Sequence, residues 1–527
     1  MTDTSDAFNS PFGSPEAIKR LKKRHAAERR FKFYGQLAIG IALSALLVLT
    51  YTIVSQALPA FNKHEVVFDV VLDESIVAPS GINDHETIAS NMSGFYSLVR
   101  TDLRKTFPET GSDRTQVREL NALVTRLAVL KIARKTADNP QTIGGQHKFT
   151  TALSDDLDMY LKGGITARKT MTAGQAGVIS VLEDGQYHVA GNGADAFKTL
   201  AEAITETGAA ASTLIMLQGA WFHLDAQTNA GLTLTHLAGP RPTLEAQNGS
   251  ALEALILFEP EANRAVTDRQ IAWALLLKDQ GRIKRKFNFD LFTKADSTYP
   301  ELAGAAAAIV GSLFTMLITS IFALPIGILA AVYLEEFAPK NRLTDIIEVN
   351  INNLAAVPSI IFGLLGAAVF LNFFGMPRSV PLVGGLVLGL LVLPTVIIAS
   401  RAALKSVPPS IRTAALGLGA SKTQAVFHHT LPLAAPGIMT GAIIAMARAL
   451  GETAPLLLIG MVAFVNEVPS GPGEETTVLP VLIYKWFSGA ERAWEPLTSA
   501  VIVILLLFLI VMNLAAVLLR RKFERRW

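Results

Sequence analysis

The sequence predicts an all-α polytopic membrane protein of six transmembrane helices, with a large α+β domain inserted after the first helix, outside the membrane. Three observations carry this. Half of the 527 residues are apolar, only 17% are charged, and the mean hydropathy is +0.37, whereas an average soluble chain carries about 25% charge. Six stretches are apolar over the roughly 20 residues needed to cross about 30 Å of hydrocarbon. Between the first two lies Leu58–Pro300, of ordinary globular composition and far too long for a plain connection. The net charge of +3 gives no basis for nucleic-acid binding. The absence of cysteine removes disulfides, Cys-ligated zinc, thiol nucleophiles and cysteine-held iron–sulfur clusters.

The first span is read at Tyr34–Ala57, after a basic tail at 1–33. Its apolar core, Leu37–Val54, is longer than a signal-peptide core and no small-x-small cleavage site follows, so it reads as an uncleaved anchor. The remaining spans are read at Leu302–Leu334, Ile346–Phe374, Pro381–Ser400, Ala434–Val465 and Leu497–Leu519. They form a five-helix core over 301–520, followed by a second basic tail at 521–527. Pro325 with Gly327 is expected to kink the second span, and Gly451 with Pro455 to break the fifth. Lys and Arg near span ends set orientation. Lys19, Arg20, Lys22, Lys23, Arg24, Arg29, Arg30 and Lys32 crowd the first tail. Arg520, Arg521, Lys522, Arg525 and Arg526 crowd the last. The segment 401–433 adds Arg401, Lys405, Arg412 and Lys422 without an acid. Both termini and this segment are therefore expected in the cytoplasm. The segment Glu335–Asp345 mixes both signs and does not discriminate.

The insertion, 58–300, shows a strand at Val66–Val71 and amphipathic helices at Glu86–Phe107, Gln116–Lys135 and Ala196–Thr207. A hairpin joins Gly177–Leu182 to Tyr187–Ala190. No HExxH, GxSxG or GxxxxGK[ST] pattern occurs anywhere, so no catalytic residue is expected. Gly191-Asn192-Gly193 lacks the third glycine of a dinucleotide loop and reads as a hairpin end. Lys284, Arg285 and Lys286 read either as a solvated face or as a contact to lipid headgroups.

The segment Pro408–Pro436 carries the strongest signal. Pro408 and Pro409 suit a helix start, Ser410–Leu418 favours helix, and Gly419 fits a left-handed stop. Ser421 with Gln424 forms a capping box for a second helix, which Pro432 is expected to end. A basic helical hairpin should thus project from the membrane. Its pattern Thr413-Ala414-Ala415-x-x-x-Gly419-Ala420, with Phe427, Leu431-Pro432 and Pro436-Gly437, resembles the EAA loop of ABC-importer permeases. The resemblance implies that these residues couple to a separate ATPase. Thr413 stands where that family usually has Glu.

Gly451-Glu452-Thr453-Ala454-Pro455-Leu456-Leu457, after Ala447-Arg448, is similar to phosphate-specific permeases of the PstA type. Leu354–Ile360 with Phe362-Gly363 resembles their third span, and Ala323–Gly327 through Tyr333–Glu336 their second. The likeness covers about Leu302–Leu519 and omits the inserted domain. It implies a type I ABC-importer permease core in a bacterial inner membrane. The implied partners are an ABC ATPase that uses ATP and Mg, a second permease and an extracytoplasmic phosphate-binding protein. No cofactor or metal is expected on this chain itself.

Arg448 and Glu452 are the only formal charges read deep within an apolar span. At i and i+4 they share one helix face, and twelve residues from Pro436, at about 1.5 Å each, put Arg448 roughly 18 Å deep. Such charges are costly unless paired or hydrated. Either they neutralise each other and hold the bundle, or Arg448 lines a wet path with Glu452 and Thr453 and offers an oxyanion its two parallel donors. Asn352, Asn353 and Ser359 read as interhelical hydrogen-bonding groups, and His428 and His429 as surface or docking contacts. Sulfate, molybdate or phosphonate would keep the class and change the cargo. A membrane sensor or an ion-coupled transporter would leave the helical hairpin unexplained.

Overall fold

The computed structural model describes residues 15–79, 84–164, 167–207, 212–242, 244 and 251–523. Residues 1–14 of the first tail, and Arg525 and Arg526 of the last, lie outside them. Helix α1 runs unbroken over Pro15–Ala57, so the described part of the basic tail is continuous with the first span. No glycine or proline interrupts the helix between Pro15 and Gly35, and Lys32 pairs with Glu28 one turn back at 2.6 Å. Leu58-Pro59 ends it in a short 3-10 turn.

The inserted domain has two parts. In the first, β1 (Asn62–Val71) leads to α2 (Glu74–Val77), α3 (His85–Ser90), α4 (Met92–Thr106), α5 (Arg114–Asn121), α6 (Leu130–Asp138), β2 (Gln146–Ala152) and α7 (Asp155–Lys162). The helix expected over Glu86–Phe107 is two helices. Asn91 leaves helical geometry, caps α4 through Gly94 N–H, and donates to the carbonyls of Ile76 and Val77 at 2.8 Å. The helix expected over Gln116–Lys135 is likewise split, because Leu123 and Val124 turn into the core and the Leu123 carbonyl accepts from Ser154 N–H. Tertiary burial overrides local propensity at both breaks.

The second part is a closed antiparallel barrel. Its strands are β3 (Arg168–Val181), β4 (Tyr187–Gly191), β5 (Ser212–Leu217), β6 (Ala220–Gln227), β7 (Gly231–Ala238) and β8 (Ala251–Leu257), ordered β3-β4-β7-β6-β5-β8. Between β4 and β5, α8 (Lys198–Thr207) plugs it with Leu200 and Ala203, joined by Phe197, against Val189, Ile215, Phe222 and Leu252. The expected hairpin is the β3–β4 ladder, with Val181 opposite Tyr187 and Gly185 at φ +83° in the turn. Gly191 closes β4 so tightly that a Cβ there would meet Ala196 Cβ at 2.4 Å. Period-2 patterning identifies strands but not closure, so the α+β reading left the barrel unspecified. The chain then forms α9 (Asp268–Asp279), capped by Thr267 and Gln270, with Trp273 buried between the two parts. Next, β9 (Ile283–Phe287) pairs with β1 to complete a sheet of order β2-β1-β9, and α10 (Asp290–Thr293) follows.

The apolar part comprises α11 (Ala306–Val332), α12 (Arg342–Ala355), α13 (Ser359–Gly366), α14 (Pro381–Lys405), α15 (Pro409–Gly417), α16 (Lys422–Ala425), α17 (Leu431–Gly451), α18 (Ala454–Leu458), α19 (Leu479–Phe487) and α20 (Trp494–Phe523). Among the described residues five helical runs are long and apolar enough to cross a membrane singly: 19–61, 306–337, 381–405, 422–451 and 494–521. The stretch expected as a third span bends by 101° between α12 and α13, where Pro358 lacks an N–H and sits extended at ψ 136°. The second span passes through Pro325 within one helix. The fifth stops at Gly451, well short of Val465. The nine-residue helix α19 was not read from the sequence.

Small residues let α11 and α14 approach closely. A Cβ on Gly385 would meet Ile318 at 2.6 Å, and one on Gly389 would meet Phe322 at 2.5 Å. Thr319 Oγ1 donates to the Gly385 carbonyl at 3.0 Å. The inserted domain is bolted to this bundle at Asp296, which accepts from Lys485 Nζ at 2.5 Å and Trp486 Nε1 at 2.9 Å.

Candidate functional site

Two groups of predicted residues occupy opposite ends of one long helical run, 422–451. The first is the hairpin. Helix α15 ends in a left-handed glycine: Gly419 has φ +87°, its N–H donates to the Leu416 carbonyl, and Ala420 N–H donates to that of Ala415. Ser421 and Gln424 exchange the two bonds of a capping box at 2.9 and 3.2 Å. Pro432 does not end the second helix. A π turn over Val426–Thr430 carries α16 into α17, and Pro432 falls in the first turn of α17, where its missing N–H costs little.

The hairpin shows an apolar crown. Leu418 is 91% exposed, and Leu416 and Phe427 are also exposed. Thr413, Ala414, His428 and His429 lie open beside them, Ala415 is buried, and Ala420 is half-buried. Thr413 Oγ1 donates back to the Ser410 carbonyl at 3.0 Å, so the hydroxyl in the family's Glu position is spent on its own helix backbone.

A clamp beneath the crown was missed in the sequence. Arg412 reaches Glu336 through Nε at 2.9 and 3.1 Å and Nη2 at 2.6 Å, and also donates to the carbonyls of Leu404 and Val407. Glu336 leaves the π turn Tyr333–Phe337 that ends α11, and its side chain is buried. Its neighbour Glu335 faces Arg401 at 3.5 Å and Lys405 at 3.7 Å, and Arg401 also holds Glu348 of α12 at 2.9 Å. The acids of the charge-mixed segment thus neutralise the base of the hairpin, which is why that segment gave no orientation signal. Adjacent acids facing a run of basic residues on a helix end would have been the readable clue.

The second group lies where α17 breaks. Helical geometry stops at Gly451, and Glu452 is extended at ψ 124° with Thr453 next. Glu452 therefore does not share the helix with Arg448. It still faces it, Nε to Oε1 at 3.7 Å, too long for a hydrogen bond. The Arg448 side chain is 47% exposed, on an open stripe of α17 with Gly437, Thr440, Ile444 and Gly451. Gly363 of α13 packs on the broken segment, where a Cβ would lie 2.7 Å from Pro455 Cα. Ser379 Oγ donates to the Gly460 carbonyl at 2.6 Å. Asn352 and Asn353 are exposed on α12 rather than packed between helices. The apolar cavity of about 200 Å³ between α11, α17 and α20 lies on another face, lined by Met446, Ala447 and Leu450.

Residues 323–527 match the family model described as "Binding-protein-dependent transport system inner membrane component". Residues 18–170 match a domain of unknown function, DUF3333, so most of the barrel lies outside both matches. A probable ABC transporter permease protein, YqgI of Bacillus subtilis, is 33% identical over 172 residues, covering 33% of this chain and 58% of the relative. The phosphate transport system permease protein PstA 1 of Mycobacterium tuberculosis is 33% identical over 224 residues, covering 41% of this chain and 70% of the relative. The chain belongs to the binding-protein-dependent transport-system permeases. The corresponding PstA of Haemophilus influenzae is also 33% identical, with 40% and 74% covered. The resemblance to ABC-importer permeases read from the hairpin, and to those of the PstA type read from Gly451–Leu457, is therefore borne out. The family is one of multi-pass membrane transport permeases, and membership in it implies an ATPase partner.

Proposed function

We propose that this permease is one half of the translocation pathway of an ATP-driven importer of inorganic phosphate in a bacterial inner membrane. In this reading α12 and α13 together form the third of six spans, and both termini face the cytoplasm. A separate ATPase subunit of the PstB type receives the Arg401–Leu433 hairpin, a PstC-type permease faces the open stripe of α17, and a PstS-type binding protein delivers the anion. The inserted domain, on that delivery side, docks the binding protein.

The observation that carries the reading is the exposed apolar crown on a hairpin whose base is clamped by Arg412 and Glu336. An exposed Leu418 has no role within this chain and suits a cleft in a partner. The phosphate assignment draws support from the names of the similar permeases and from the half-exposed Arg448 guanidinium at a helix break. Arg448 would receive the tetrahedral oxyanion, Glu452 would keep the site weak enough for release, and the free backbone around Thr453 would add donors.

Purification of the tagged chain from phosphate-starved cells in mild detergent tests the assembly. An ABC ATPase and a second permease should co-purify, and Leu418→Asp should lose the ATPase alone. Radiolabelled phosphate uptake by the reconstituted complex, unaffected by excess sulfate or molybdate, tests the cargo. Absence of an ATPase from the native preparation would overturn the coupling role, and competition by sulfate would reassign the substrate.

A further inference from the structure

The inserted domain carries an aromatic foot where it meets the bundle. Phe61, four residues past the end of α1, stacks with Phe287 at 6.4 Å and with Phe292 at 6.3 Å. Phe287 also meets Phe292 at 6.2 Å and Phe289 edge-on at 4.8 Å. Mutual packing does not bury these rings. Phe287, Phe289 and Phe292 remain 46%, 67% and 39% exposed, and Leu58 and Tyr299 beside them in the chain are exposed as well. In water such a patch would be a liability.

Its level in the fold is fixed from three sides. Asn288 N–H and Nδ2 donate to the carbonyls of Phe61 and Ala60, at the exit of α1. Ala305 N–H, at the entry of α11, donates to the Leu291 carbonyl at 2.7 Å. Leu291 packs in one cluster with Trp486 and Trp494 at the start of α20. The rings therefore lie at the height where three apolar helices leave the hydrocarbon, the depth at which aromatic side chains settle in bilayers. A cation accompanies them. Arg285 is exposed and, two residues before Phe287, leaves strand β9 on the same face. Lys286, on the other face, is held by Glu65 at 2.6 Å.

We infer that this foot is a lipid-binding surface: Phe287, Phe289 and Phe292 insert among the headgroups of the leaflet beneath the inserted domain, and Arg285 binds an anionic lipid phosphate there. The domain is then anchored twice, by its bolts to the bundle and by the bilayer, and cannot rock away from the pathway mouth. The inference is independent of the transported substrate. Of the two roles open to the Lys284–Lys286 cluster, it gives the lipid contact to Arg285 alone.

The chain has no cysteine, so a single Phe289→Cys can carry a nitroxide, with Asp184→Cys in the distant barrel turn as a control. Both are placed in the full chain in vesicles of phosphatidylethanolamine and phosphatidylglycerol. At 289 collisions with dissolved oxygen should exceed those with a water-soluble nickel chelate, and at 184 the order should reverse. Adding Arg285→Glu should raise nickel access at 289 in these vesicles and leave it unchanged in vesicles of phosphatidylcholine alone. Free nickel access at 289 in the parent would overturn the inference. So would shielding from both reagents, which would assign the foot to a protein contact instead.

Discussion

At the scale of single residues, two charged groups show how differently a chain can treat burial. Glu65 is almost wholly enclosed on β1, yet Lys286 at 2.6 Å, Lys131 at 3.0 Å and Lys63 at 3.7 Å surround it. Burial pushes its carboxyl up, and the hydrogen bonds from Lys286 and Lys131 outweigh that and hold it down at about 2. A depressed carboxylate stabilises the fold at neutral pH, and the gain is lost as pH falls from about 4.5 towards 2. Glu65→Gln should cost about 1–3 kcal/mol, since it removes the charge-assisted bonds from Lys286 and Lys131 while Lys63 keeps Asp290; thermal unfolding of the purified chain measures it, and an unchanged midpoint would contradict the assignment. Arg448 is the opposite case, half-exposed and loosely matched to Glu452. Arg448→Ala should abolish phosphate uptake while the complex still assembles, and Arg448→Lys should rescue little because a point charge lacks the guanidinium fork. Normal uptake by the alanine variant would return the pair to a structural role.

At the scale of elements, the clamp between α11 and α15 makes the hairpin a lever rather than a tether. Arg412 spends its donors on one carboxylate and two carbonyls, so displacement of α15 must carry the end of α11 with it. Glu336→Gln should leave ATPase binding intact but uncouple it, with hydrolysis continuing while uptake falls at least about tenfold, the equivalent of ~1.4 kcal/mol. Parallel assays on one reconstituted preparation decide this, and proportional loss of both activities would argue for simple misfolding. This element also shows what the sequence disclosed. The Gly419 stop and the Ser421 cap were legible because each rests on a local, position-specific bond. The course of the chain through Pro432 was not, because a π turn shifts the register without a sequence mark. The Arg412–Glu336 contact spans two helices and leaves no periodic trace. The 101° break at Pro358 was hidden inside an apolar run that hydropathy counts as one span, and the barrel needed strand order, which alternation cannot supply.

At the scale of the whole molecule, the seam between inserted domain and bundle is acidic. Asp155 and Asp156 of α7, Glu301 before α11, and Glu491 before α20 approach one another there. Burial raises Glu301 to about 7 against a bond from Thr125, and burial with the charges of Asp155 and Glu491 raises Asp156 to about 6. The lysines lining the adjoining cavity are engaged elsewhere, Lys162 with Asp158 at 2.5 Å and Lys63 with Asp290. For an acid whose folded pKa lies above its unfolded one, the native state binds more protons in the interval between them, so stability falls as pH rises. The contribution is complete below about 4.5, declines through about 7, and is absent above that. A shift of this size at a partly exposed group is worth at most ~3 kcal/mol, or a few °C in a chain of this length. The chain should therefore unfold at a higher temperature in mildly acidic buffer than above neutrality. Glu301→Gln should remove about half of that slope, the remainder belonging to Asp156, whose raised carboxyl depends on its own burial and on Asp155 and Glu491. Hydrogen exchange at the seam locates the effect: protection of 300–302 and 155–162 should increase on acidification in the parent and increase less in the variant, most clearly at 300–302. A variant that kept the parent's slope would place the titrating group elsewhere. If the slope falls in this way, acidification on the domain's side tightens the joint between domain and pathway, a coupling that neither half of the molecule would have alone.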